Sequence, residues 1–156
     1  MKGAATTDAY FDSSLLVKLY HFEPGSLEAT GMAAAYRSVP LSFIAEMELR
    51  NTLRALHGRK VISKKKLLSA LACVDADIQQ GQLRKLHLDP VATEQLALSL
   101  SMDYTATILS RTLDILHVAS SLIAKIPVFV TADRRQAQLA EATGLEVEFI
   151  EIPRKQ

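Results

Sequence analysis

Residues 126–144 read IPVFVTADRRQAQLAEATG, and this stretch decides the fold class. Ile126 to Thr131 is a short, largely apolar run of the kind that forms a strand buried on both faces. Asp133 stands just past its end, Arg134 to Thr143 is helix-forming, and Gly144 closes the helix. A buried strand running into a helix with an acid at the junction marks the carboxyl end of a strand in an open α/β sheet, where such sheets bind their ligands. The same arrangement recurs at residues 9–12, where Tyr10-Phe11 precede Asp12 and Ser13 or Ser14 can cap a helix running to about His21.

Strand-like and helix-like segments alternate between these two junctions. Pro24-Gly25-Ser26 breaks the chain and caps a helix over about 27–36. Val39-Pro40-Leu41-Ser42 reads as a strand edge feeding a helix from about 43 to 57, which His57-Gly58 ends. Ser63 caps a helix through about Gln80, Leu83 to Leu88 alternates as a strand does, and Asp89-Pro90 places a cap before a first-turn proline. Helices over about 91–107 and 112–124 lead back to the 126–131 strand, and Val147 to Ile150 forms the last one. Strands joined by helices imply a mostly parallel sheet with right-handed crossovers, hence an α/β fold of three layers, α/β/α, with the sheet in the centre. Nothing resembling a repeat, linker or low-complexity stretch divides residues 1–156, so one domain is expected.

A chain of 156 residues can bury a sizeable core, and 49% hydrophobic against 22% charged residues excludes a disordered polymer. The net charge of +1 gives no bulk attraction to nucleic acid, so a polyanionic partner must be held by local patches or by a metal. The one cysteine, Cys73, excludes an internal disulfide and, within LLSALACV, reads as a buried inert thiol. MKGAATTDAY has no apolar core of signal-peptide length, and no stretch is long enough to span a bilayer, which makes the cytoplasm the expected location.

Four acids punctuate separate segments: Asp12 in YFDSSLLVKLY, Glu48 in AEMELRNTL, Asp114 in RTLDILHVASSL and Asp133 in VFVTADRRQ. Folding can assemble them into one acidic metal site. Glu48 shares a helix face with Ile44, Ala45, Asn51 and Thr52, which is partly small and polar and leaves room for a hydrated ion. Glu46 competes for the role, but Arg50 four residues on gives it a solvated ion pair. Asp114 lies among Leu113, Ile115, Leu116 and Val118, where a carboxylate is costly unless paired or metal-bound. It equally suits a first helical turn, as Asp12 and Asp133 suit helix caps. His117, three residues further, could coordinate with Asp114, yet amid Leu116, Val118 and Ala119 it reads as a hydrogen-bonded core histidine. Ser13, Thr131 and Asn51 are placed to orient the carboxylates or a bound water.

These segments, in this order, resemble the PIN-domain nucleases, particularly the VapC-like toxins of bacterial toxin–antitoxin pairs. YFDSSLLVKLYHFEPGS looks like the family's opening strand, first acid and hydroxyl residue, and ELRNTL like its second-acid helix. RTLDILHVASSL looks like its third, and FVTADRRQAQLAEATGLEV like its closing strand, acid and helix. The resemblance covers nearly the whole chain. It implies a Mg²⁺- or Mn²⁺-dependent ribonuclease, usually a homodimer, silenced by a cognate antitoxin. Alignment to ELRN is what selects Glu48 over Glu46, and the family reading agrees with a core role for His117. The residues MKGAATTD precede the strand at which the family often begins.

Carboxylate and hydroxyl oxygens are hard ligands suited to Mg²⁺ or Mn²⁺, and no Cys-x-x-Cys or His-x-x-x-His spacing for zinc occurs. The expected chemistry is hydrolysis of an RNA phosphodiester by in-line attack of water at ions held by Asp12, Glu48, Asp114 and Asp133, with no protein nucleophile. Arg111, Arg134 and Arg135 lie near these acids and are candidate phosphate contacts. Arg54, Arg59, Lys60 and Lys64-Lys65-Lys66 form a further basic segment, usually a solvated face. Two other classes of function fit less well. An aspartate-based phosphohydrolase with Asp12 as nucleophile lacks its second aspartate, because position 14 is serine, and an RNA-binding module that had lost cleavage would have shed acids. The helices at 14–21 and 27–36, with Leu15, Leu16, Leu19, Tyr20 and Phe22, offer apolar surface to an antitoxin or second subunit, with core packing taking most of it.

Overall fold

The computed structural model describes residues 8–152, so the readings of residues 1–7, as lacking a signal peptide and as an extension before the first strand, lie outside the described residues. In chain order the elements are β1 (Ala9–Phe11), α1 (Ser13–Tyr20), α2 (Ser26–Ala34), β2 (Val39–Leu41), α3 (Phe43–Gly58), α4 (Lys64–Gln79), β3 (Leu83–Lys85), α5 (Pro90–Ile108), α6 (Thr112–Ile123), β4 (Val128–Thr131), α7 (Arg134–Ala142) and β5 (Glu146–Phe149). Every strand pairing is parallel. β4 lies between β1 and β5, with Tyr10 opposite Phe129 and Thr131 opposite Phe149, while β2 pairs with β3 and adjoins β1.

Alternation along β1 and β4 sorts the core onto two faces, because successive strand side chains point opposite ways. Ala9, Phe11, Val128 and Val130 pack with Leu15, Leu16, Leu49, Leu53 and Val74 from α1, α3 and α4. Tyr10 and Phe129 pack with Leu100, Ile115, Val118 and Leu139 from α5, α6 and α7. The result is the three-layer α/β/α arrangement expected from the sequence. β1, β2 and β4 are buried throughout and read as largely apolar runs, and each fully buried large side chain contributes roughly 1.5–3 kcal/mol.

Local chemistry sets the element ends. Ser63 caps α4, and Asp89 caps α5 by accepting from Val91 N and Ala92 N ahead of the first-turn Pro90. Asp12, rather than Ser13 or Ser14, caps α1, since its carboxylate accepts from Leu15 N. β3 ends at Lys85, short of the 83–88 run, because its partner β2 ends where Ser42 caps α3. At the start of α2, Gly25 takes φ +91°, and a Cβ there would meet Ile152 at 3.0 Å, so the turn needs glycine on two counts.

Two readings of apolar segments change. Cys73 is exposed, not buried, because α4 turns Leu67, Ala70 and Val74 inward and the cysteine falls outside that stripe. In the apolar stretch proposed for docking, Leu15 and Leu16 are wholly committed to the core, whereas Phe22 is 74% exposed. Among the described residues, no helix is long and apolar enough to cross a membrane.

Candidate active site

Adjacent parallel strands bring Asp12 and Asp133 together at the carboxyl ends of β1 and β4. Asp12 is buried. Its Oδ1 accepts from Leu15 N at 2.9 Å and Ser14 Oγ at 2.7 Å, and its Oδ2 accepts from Thr131 Oγ1 at 2.5 Å. Having donated its one proton to Asp12, the Thr131 hydroxyl accepts from Asp133 N at 3.0 Å, so one side chain on β4 fixes both acids. Asp133 caps α7, with Oδ1 receiving Arg135 N at 2.8 Å and Gln136 N at 3.2 Å. Both acids therefore sit at helix N-termini, where the aligned backbone dipoles favour negative charge.

Asp114 joins this pair from the first turn of α6. It is buried, with Oδ1 accepting from Gln136 Nε2 at 3.0 Å and Oδ2 accepting from Arg111 N at 2.8 Å and Arg111 Nε at 3.3 Å. Arg111 Nη2 continues to Asp133 Oδ2 at 3.2 Å, bridging two of the acids. Burial opposes ionisation of Asp114, yet the bonds from Gln136 and Arg111 outweigh it and hold the carboxyl below the usual carboxylate range.

Glu48 reaches the same region from α3. Its carboxylate meets His117 Nε2 on α6, and His117 Nδ1 lies 2.9 Å from Tyr10 Oη, which lies 2.6 Å from Ser42 Oγ. Burial pushes Glu48 up, but hydrogen bonds from His117 and the Ser13 hydroxyl prevail over it and over the charge of Asp114, so its pKa is lowered. Burial also drives the Tyr10 phenol far above its ordinary value, which keeps the hydroxyl protonated and able to donate. Glu46, two residues before Glu48, pairs with Arg50 and Lys85 instead.

The remaining sequence candidates divide. Ser13 lies against Glu48 and Thr131 joins two acids, while Asn51 is exposed and makes no hydrogen bond to any of the four. Of the three arginines, Arg111 is bonded to the acids. Arg134 lies 5.3 Å over the Phe149 ring and pairs with Glu151, and Arg135 Nη1 reaches Leu109 O at 3.5 Å. Gln136 was not anticipated, although Asp133 followed three residues later by Gln is a capping-box spacing. In the box its side chain would return to Asp133 N; here Thr131 occupies that donor and the amide turns to Asp114.

An all-oxygen donor set fits a hard divalent cation by ligand type. As the side chains stand, no group of three or more His, Cys, Asp or Glu among the described residues is close enough to hold an ion; Arg111 pairs with Asp114 and Asp133, and His117 hydrogen-bonds Glu48.

A parallel three-layer α/β/α fold with acids at its strand ends places the candidate site where open α/β sheets bind their ligands. The PIN domain model matches residues 9–142, and the chain belongs to the PIN domain family, whose members are generally nucleases that use divalent metal ions. The fold is similar to that of FitAcB from Neisseria gonorrhoeae, with a TM-score of 0.62 and 16% identity over 91% of this chain and 96% of that one. It is likewise similar to VapBC2 from Rickettsia felis bound to a DNA fragment from their promoter, with a TM-score of 0.59 and 16% identity over 90% of this chain and 97% of that one. Comparison with curated proteins gave no match.

Proposed function

We propose that this protein is a Mg²⁺- or Mn²⁺-dependent endoribonuclease and the toxin of a toxin–antitoxin pair, acting in the cytoplasm as a homodimer. The observation that carries the reading is the linking of three acids from separate segments, with Thr131 tying Asp12 to Asp133 and Arg111 tying Asp114 to Asp133, and with Glu48 near enough to feel the charge of Asp114. Gathered carboxylates repel one another, and a bound cation would offset that repulsion beyond what Arg111 does. Asp12, Glu48, Asp114 and Asp133 would hold the ion, which supplies Lewis-acid activation of water and neutralises charge on the phosphate.

The chain's own groups do the rest. Asp12 and Asp114 are fixed by hydrogen bonds on both oxygens, so their orientation is set before substrate arrives. Arg111, whose side chain is 63% exposed, would leave its carboxylates to contact a phosphate oxygen, and Arg135 would serve the same strand from α7. Arg134 is a weaker phosphate contact, because Phe149 and Glu151 already engage it. One of the acids would take the proton from the attacking water.

The antitoxin and the second subunit follow from the resemblance and from the two similar structures named above. Phe22, just past α1, and Leu27, on α2, are exposed apolar surface that an antitoxin segment would cover. The reading is tested by incubating purified protein and an Asp114→Asn variant with RNA in Mg²⁺, in Mn²⁺ and in chelator. Cleavage that requires metal and disappears in the variant supports it; RNA binding without cleavage under every metal condition overturns it.

A further inference from the structure

His117 is buried to 1% exposure, and both its ring nitrogens are engaged, which a residue that merely fills space on α6 does not require. The bonds run in one direction. Ser42 Oγ accepts Ala45 N at 3.1 Å as the cap of α3, so its own proton points to Tyr10 Oη at 2.6 Å. Tyr10 then donates to His117 Nδ1 at 2.9 Å, leaving the ring proton on Nε2, where it faces Glu48. The reverse direction would leave the Ser42 proton without an acceptor among the described hydrogen bonds. Tyr10 is held in turn, stacked on Phe129 at 5.5 Å and fully buried. Glu48 sits at mid-helix and, unlike Asp12 and Asp133, makes no cap to fix its rotamer.

We infer that His117 is a positioning residue for Glu48, with Tyr10 and Ser42 locking the Nε2–H tautomer that aims the carboxylate into the site. Its consequence for activity rests on the proposed nuclease function; the hydrogen-bond geometry does not. The two helices that meet at the bond are thereby coupled. Between α3 and α6 the bond from His117 ties Glu48 to its place near Asp114, because Asp114 is itself bonded to Gln136 and Arg111 rather than to Glu48, while Ser13 approaches Glu48 from α1. Ser42, capping the same helix that bears Glu48, closes the circuit from the helix start to its acid.

Outer partners of metal-holding side chains typically contribute roughly 10–100-fold to metal affinity or activity. His117→Leu is therefore expected to lower kcat and Mn²⁺ affinity by that factor with little change in KM for RNA. His117→Gln, whose amide can still donate to Glu48, should recover most of the loss, and Tyr10→Phe should lose roughly tenfold or less. Introduced into Glu48→Asp, whose shortened carboxylate no longer reaches the ring, His117→Leu should add nothing, because residues acting as one unit are non-additive. In ¹⁵N-histidine NMR spectra, His117 should show the Nε2–H tautomer, with its hydrogen bond weakened in Glu48→Asp and a tautomer mixture in Tyr10→Phe.

Penalties that multiply, a folded His117→Leu enzyme with unchanged kinetics, or an Nδ1–H tautomer would each overturn the inference. If His117→Leu does not fold, the Gln and Phe variants carry the same comparison. If the unaltered protein cleaves no RNA, the nuclease reading fails, and the tautomer and its response to Tyr10→Phe decide the positioning role alone.

Discussion

Two ways of holding a carboxylate in place stand side by side in this molecule. Asp12, Asp114 and Asp133 are held by what surrounds a helix start: backbone N–H groups, a threonine hydroxyl, a glutamine amide and an arginine. Glu48 lies at mid-helix and caps nothing; besides the Ser13 hydroxyl, it is held by a histidine that is oriented from deep in the core. The first arrangement distributes its donors, so the loss of one leaves others in place. The second depends mainly on one line of core residues, and a break along it leaves the acid with the Ser13 hydroxyl alone.

The sharpest test of that contrast removes the charge from each arm. Asp114→Asn keeps the side chain's size and much of its hydrogen bonding, so the fold should survive while cleavage falls by at least about a hundredfold, the upper end of what outer partners alone contribute. Rate measurements on this variant beside Glu48→Gln should show comparable losses if both arms serve one site. Full activity in either variant would remove its acid from the catalytic set.

A smaller effect separates the arms by stability. Thr131→Val deletes the hydroxyl shared by Asp12 and Asp133 and leaves a buried carboxylate oxygen and a backbone N–H unpaired. A cost of about 1–3 kcal/mol is expected in urea denaturation. Thr131→Ser, which keeps the hydroxyl, should lose much less; a valine variant as stable as the unaltered protein would show that the bond does not matter.

What could be read in advance follows the same division. The strands, their parallel pairing and the three layers were legible because apolar runs and caps are local, and so were Asp12 and Asp133, whose positions are announced by strand-then-helix junctions; the order of the strands was not. Asp114 stood out as a charge among aliphatic neighbours. The line from Glu48 through His117 and Tyr10 to Ser42 joins residues 69, 107 and 32 apart, and no spacing rule connects such positions. His117 was read as a core residue and is one; its bond to Glu48 could be seen only once α3 and α6 were packed together. Cys73 was misread for a related reason, since the composition of a segment says little about which side of the helix each residue takes.

Acid should weaken both arms. Asp114 and Glu48 have lowered pKa values, so their ionised forms stabilise the folded state above the ordinary carboxylate range, and that contribution is lost as pH falls through it toward the folded values. Thermal melts should therefore decline as the pH enters that range from above. The decline should be shallower in Asp114→Asn and in Glu48→Gln, each of which removes one of the two titrating groups; unchanged slopes in both would mean that other carboxylates dominate acid unfolding.

The gentlest comparison is between Glu46 and Glu48, two residues apart on α3. Glu46 meets Arg50 at 3.0 Å and Lys85 at 3.0 Å, and Arg50 continues to Asp75 at 2.7 Å, a network that borders solvent and asks nothing of the core. Burial pushes the Glu46 pKa up, but its two cationic partners bring it below the usual range, so both glutamates end with a lowered pKa for different reasons. Ion pairs of this partly exposed kind contribute roughly 0–1 kcal/mol. Glu46→Gln should therefore cost no more than about 1 kcal/mol in denaturation, a loss that shrinks further in high salt, and should leave RNA cleavage unchanged. If it reduced cleavage as far as Glu48→Gln does, the choice between the two glutamates would be reversed, and the histidine line would be holding an acid that the reaction does not use.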